Sequence, residues 1–258
     1  MKKSTALSLA VAAATAPMIA LAPTASADGM GHHGELKMHA SLDPVPTNRV
    51  HGHGWAQVSL QGDKATVTLK VRGLLRHNVH VQHIHIAAMG KCPPASAAKK
   101  HKGHRAISTK DGAPFYGAVG TSLTLTGDTG PGSAFDFHRY PDRGSYHYSR
   151  TVKVGPKTAK SLRNGTGVIV VHGIDYNHNG KYDYVLGESE VVPGVPLEKT
   201  APALCGALKK GPGGPIHGGV GGTQGTDDIT LSAAAGGAAA LLAAGGVLYM
   251  RRRRSTES

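Results

Sequence analysis

The sequence predicts an all-β sandwich or barrel, and two observations carry that expectation. Apolar residues recur in short alternating runs, WAQVSL, ATVTLKV, HVQHIHI, AVGTSLTL, YSRTVKV and GVIVVHG, each bounded by Gly, Asp, Asn or Pro. No long stretch places apolar residues at helical spacing. WAQVSL and ATVTLKV, joined through Gln61, Gly62, Asp63 and Lys64, read as a hairpin. Only AKSLRNG, from Ala159 to Gly165, suggests a helical turn.

Within HVQHIHI the strand period of two puts His83 and His85 on one face and Ile84 and Ile86 on the other. Two imidazoles side by side on a rigid strand make half of a tetrahedral or square-planar metal site. A solvated strand face is the competing reading in a chain with 16 histidines.

Both ends point to export. Residues 1–27 have basic Lys2 and Lys3, an apolar run and the small triplet Ala25, Ser26, Ala27, the layout of a signal peptide. Residues 229–250 carry no charge and extend to about 33 Å as a helix, enough to cross a bilayer core. The tail 251–258 opens with Arg251 to Arg254, a basic flank that stays cytoplasmic. The expected product is exported and held at the cell surface by a C-terminal transmembrane helix, with its domain outside. Residues 28–48, with Met30, His32, His33, Met38 and His39, read as a flexible arm offering ligands suited to copper. Residues 206–228, rich in Gly and Pro, read as a linker. The β domain is expected over residues 49–205, enough for one core.

The net charge is +13, and the signal peptide and tail inflate it. Excluding Lys2, Lys3, Arg251 to Arg254 and Glu257 leaves +8 between Asp28 and Asp228. A basic exported surface suits anionic surface polymers, lipid headgroups or small anions, and export disfavours nucleic acid as a partner. Neither a Gly-x-Ser-x-Gly elbow nor a His-Glu-x-x-His helix is present, so the hydrolase arrangements they mark are not expected. The two cysteines, Cys92 and Cys205, favour a disulfide in an oxidising compartment, with thiolate metal ligation as the alternative.

Four features in order resemble copper-zinc superoxide dismutase: GLLRHNVHVQHIHI, Cys92 shortly after it, His172 closing GVIVVHG, and Cys205 in ALCG. HIHI, GAPFYG and HGIDYNHNGKYD also resemble the chordin-type (CHRD) domains of secreted bacterial proteins. The resemblance implies a Greek-key barrel, copper on His83, His85 and His172, His80 as a supporting residue, and a Cys92–Cys205 bridge. It also implies superoxide as the small-anion substrate of an active enzyme.

The departures are specific. A bridge to zinc would fall near His101 and His104 in KKHKGHR, among four basic residues, and Asp111 would stand for the zinc aspartate, although Asp111-Gly112 also reads as a turn. Pro202 occupies the position where the family has an arginine. DYNHNGKYD places Asp175, Asn177, Asn179 and Asp183 like the start of a calcium loop, but Leu186 stands where that loop needs glutamate. A copper-dependent dismutase, a non-catalytic copper-binding protein and a structural CHRD-type surface domain all remain open from sequence.

Overall fold

The computed structural model describes residues 34–211. The expected signal peptide (1–27), transmembrane helix (229–250), basic tail (251–258) and most of the expected Gly/Pro linker lie outside the described residues.

The chain opens with three antiparallel strands, β1 (Leu36–Pro44), β2 (His53–Gln61) and β3 (Lys64–Arg72). Next come β4 (Gln82–Ile86), a small hairpin of β5 (Lys99–His101) and β6 (His104–Ala106), helix α1 (Thr109–Tyr116) and β7 (Ala118–Ser122). β8 (Tyr146–Lys153), helix α2 (Pro156–Arg163) and β9 (Val168–His172) follow. A short α3 (Leu197–Thr200) leads into β10 (Pro202–Ala207) and β11 (Lys209–Lys210).

The main sheet runs β7-β4-β9-β10-β1-β2-β3-β8, with β11 on β1, and it curls into a half-barrel. β1 makes the bend because it serves both halves. Met38 and His39 pair with β11, whereas Asp43 and Pro44 pair with Cys205 and Leu204 of β10. The outer edges, β7 and β8, are linked by Arg150 of β8, which donates to the carbonyls of Thr124 and Gly127 in the loop after β7.

Alternation fills the concave side. Met38, Ala40 and Leu42 of β1, Val58 and Leu60 of β2, Val67 and Leu69 of β3, and Ile84 and Ile169 from β4 and β9 share one core. β4 and β9 are buried at every position, so their outer face is covered as well. There Val168, Val170 and Cys205 pack with Val45, Ala98, Ile107 and Tyr116 in a second cluster. The Cys92–Cys205 disulfide closes the same region and ties the loop after β4 to β10.

Three expectations need correction. Residues 36–44 of the expected flexible arm form the strand at the centre of the sheet, with Met38 and Leu42 fully buried, so Met38 packs in the core and offers no exposed ligand. The domain also continues past residue 205, with Gly206 and Ala207 in β10, Lys209 and Lys210 in β11 and Leu208 buried between them, so residues 206–210 belong to the domain rather than to the linker. Asp111-Gly112 lies in α1, not in a turn. The Ser108 hydroxyl accepts the Asp111 amide and the Asp111 carboxylate accepts the Ser108 amide, a reciprocal cap that starts the helix. The hairpin of β2 and β3, turning at Gly62 with φ of 60°, and the helical turn near Ala159 are both present, the latter as α2. Among the described residues no helix is long and apolar enough to cross a membrane.

Candidate metal centre

Register brings the three histidines together. His83 pairs with Val170 and His85 with Val168 across β4 and β9, so these four side chains share the outer face. His172 lies two residues beyond Val170 on that same face. Ring centroids are 5.5 Å apart for His83 and His85, 5.2 Å for His83 and His172, and 5.7 Å for His85 and His172. The rings are 1 %, 2 % and 3 % exposed, in chain order.

Each ring is held by one nitrogen against a backbone carbonyl. His85 Nδ1 meets Gly117 O at 2.8 Å and His172 Nδ1 meets Thr200 O at 2.7 Å. His83 Nε2 lies 3.1 Å from Ala134 O and 3.3 Å from the Tyr140 hydroxyl, which itself donates to Ser133 O. Burial keeps all three rings neutral. It lowers His83 well below the ordinary imidazole value, His85 to about 3 and His172 to about 4, and the neighbouring imidazoles add to the effect at His83 and His85.

A carbonyl only accepts, so each neutral ring carries its single proton on the nitrogen facing that carbonyl. The other nitrogen, Nδ1 of His83 and Nε2 of His85 and His172, therefore presents a lone pair, and all three are buried without a partner. One ligand atom from each residue lies within 4.8 Å of those of the other two. A metal held at about 2.0 to 2.1 Å sets its nitrogens about 3.5 Å apart, a distance that small ring rotations reach.

The walls are aromatic and apolar. The Tyr116 ring meets His85 edge-on at 4.6 Å, and burial raises its hydroxyl pKa. Tyr140 meets His83 edge-on at 5.8 Å and is raised to about 12 for the same reason. The site can take a soft or borderline cation into a cage of neutral nitrogen donors. It has no carboxylate among its three ligands.

The remaining expected residues fall elsewhere. The His80 ring lies between His172 O at 2.9 Å and Leu75 O at 2.8 Å, bracing the carbonyl of a candidate ligand rather than joining the cluster. His101 and Asp111 do meet, at 2.8 Å, but Lys99 binds the other Asp111 oxygen at 3.1 Å and His104 packs on Tyr176 instead. Burial alone would raise the Asp111 carboxyl, yet the Ser108 amide, His101 and Lys99 hold it below the usual range. Asp175, Asn177, Asn179 and Asp183 share one turn closed on itself. Asp175 accepts the amides of Asn179 and Gly180, and both asparagine side chains donate to Asp183.

Sequence reasoning missed Gly117, Ala134, Tyr140 and Thr200, which hold the rings. Three of these act through backbone carbonyls, which leave no side-chain signature. Searches against protein-family models and curated proteins return no match for this chain.

Proposed function

We propose that this is an exported copper-binding domain, held at the cell surface by its C-terminal segment, whose His83, His85 and His172 bind one copper ion. The observation that carries the reading is the set of three buried, unpartnered imidazole nitrogens on rings that each bring a ligand atom within 4.8 Å of the other two. Buried polar atoms normally have partners, so three orphans in one place call for a missing group. A metal supplies it.

Copper in the cuprous state fits the donor set best. Imidazole serves copper, zinc and nickel alike, so the surroundings have to discriminate. With no anionic ligand in the cluster, a divalent ion would leave two uncompensated charges in an enclosed apolar place. The cost of burying charge rises steeply with its magnitude, which favours a monovalent ion.

The curled sheet, the order of the histidines and the Cys92–Cys205 link support a relationship with copper-zinc superoxide dismutase and CHRD domains on a Greek-key barrel. Near-complete burial of the ligands weighs against turnover, because superoxide would have to reach copper through the segments around Tyr140 and Thr200. Copper holding or transfer is therefore the primary reading. Dismutation is second, favoured by the basic surface that would steer an anion.

Anaerobic titration with Cu(I) against a chromogenic cuprous chelator tests the primary reading, with Zn(II) titrated in parallel. One equivalent of Cu(I) bound more tightly than zinc is expected. Zinc winning that comparison, or Cu(I) remaining with the chelator, would contradict it. Salt-dependent superoxide consumption by the loaded protein, above that of chelated free copper, would move the reading to the enzyme.

A further inference from the structure

The β1–β2 connection, the β3–β4 connection and the chain after β9 meet at one end of the sheet and enclose a cleft of about 460 Å³. Its polar side chains are those of Arg49, His51, Arg76, His77 and His178, against a single carboxylate, Asp175. Asp175 is occupied, since its two oxygens accept the amides of Asn179 and Gly180. Among the described residues no carboxylate pairs with Arg49 or Arg76. The Arg49 guanidinium instead lies over the Tyr176 ring, 4.4 Å from its centroid, which leaves the N–H edge of the fork free. His51 and His178 stack at 5.4 Å.

The loops are fixed rather than loosely apposed. Gly73, with φ of 74°, approaches Gly52 so closely that a Cβ on it would lie 3.1 Å from the Gly52 Cα. Arg49, His77 and His178 all adopt left-handed backbone, with φ of 55°, 56° and 60°, although none is glycine. Such conformations persist where the surrounding structure imposes them, and they gather at binding sites.

We propose that this cleft binds a phosphate-class oxyanion, either free phosphate or a small phosphomonoester. Two unpaired guanidinium forks suit bidentate recognition of tetrahedral oxyanions, and three imidazoles add donors around them. The volume lies in the range of small-ligand sites and exceeds what phosphate alone fills, so an ester with a small organic group fits. The site shares no lining side chain with the histidine cluster, so it can be titrated in metal-free protein.

Calorimetric titration of the metal-free full chain with inorganic phosphate, and separately with glycerol phosphate, tests this at fixed ionic strength with chloride as the background anion. Saturable one-to-one binding is expected, and the ratio of the two affinities identifies the free or the esterified ligand. The Arg49→Gln, Arg76→Gln double variant should bind at least tenfold more weakly while keeping the wild-type melting temperature and copper stoichiometry. Absence of saturable binding to both ligands, or a double variant that melts and binds as the wild type does, would overturn the proposal.

Discussion

Histidine at positions 83, 85 and 172 costs the metal-free fold stability that valine would not. The three rings sit where β4 and β9 are covered on both faces, and each leaves a buried nitrogen unpaired, a penalty of about 1 to 3 kcal/mol apiece. Their protonation shows the same conflict. In the unfolded chain these imidazoles take up protons near pH 6.5, whereas burial delays His85 to about 3 and His172 to about 4. The unfolded state therefore binds more protons across that window, and stability present above pH 6.5 is lost as the pH falls toward 4. The slope is up to about 1.4 kcal/mol per pH unit for each ring. Melting curves of metal-free protein between pH 7 and 4.5 should show this decline, and His85→Gln should make it shallower. A wild-type melting temperature that stays level over that range would contradict the burial of neutral rings.

At the scale of elements, the site depends on segments brought together from distant parts of the chain. The Cys92–Cys205 bridge spans 113 residues and joins the loop after β4 to β10, beside the cluster containing Tyr116, Val168 and Val170. Chain-entropy reasoning gives a loop of that length about 4 to 5 kcal/mol, so reduction should lower the melting temperature by about 10 to 15 °C. Thermal melts with and without reductant measure it, and unchanged melting would remove the bridge from the account. The strands bearing the histidines were legible because His and Ile alternate along β4 and an unbroken run of β-branched residues, Val168 to Val171, marks β9. β1 was overlooked although Leu36, Met38, Ala40 and Leu42 alternate with Lys37, His39, Ser41 and Asp43, because Met38 and His39 look like ligands of a His/Met-containing arm. α1 was hidden for a different reason. Asp111-Gly112 has turn chemistry, and the signal that overrides it is the Ser108-x-x-Asp111 cap. The grip on the rings was illegible in principle, because Gly117, Ala134 and Thr200 contribute carbonyls that every residue possesses.

For the whole molecule, the proposal is a metal cage on the covered face of a curled sheet, with the chain after β11 as its tether to a membrane. The uncharged run 229–250 and the arginines after it motivate the anchor, so a chain ending before Ile229 should appear in the medium while the full chain stays with the membrane fraction. Immunoblotting of the two fractions distinguishes the cases, and full-length protein washed free intact would contradict the anchor. The proposed function rests on the cage. The most direct measurement is copper per chain, by elemental analysis, in protein isolated without an affinity tag, alongside His83→Ala, His85→Ala, His172→Ala and His104→Ala variants. The account predicts close to one copper in the wild type and in His104→Ala, and a loss in each of the other three. Copper near zero in the wild type, or copper undiminished when His83, His85 or His172 is removed, would contradict it.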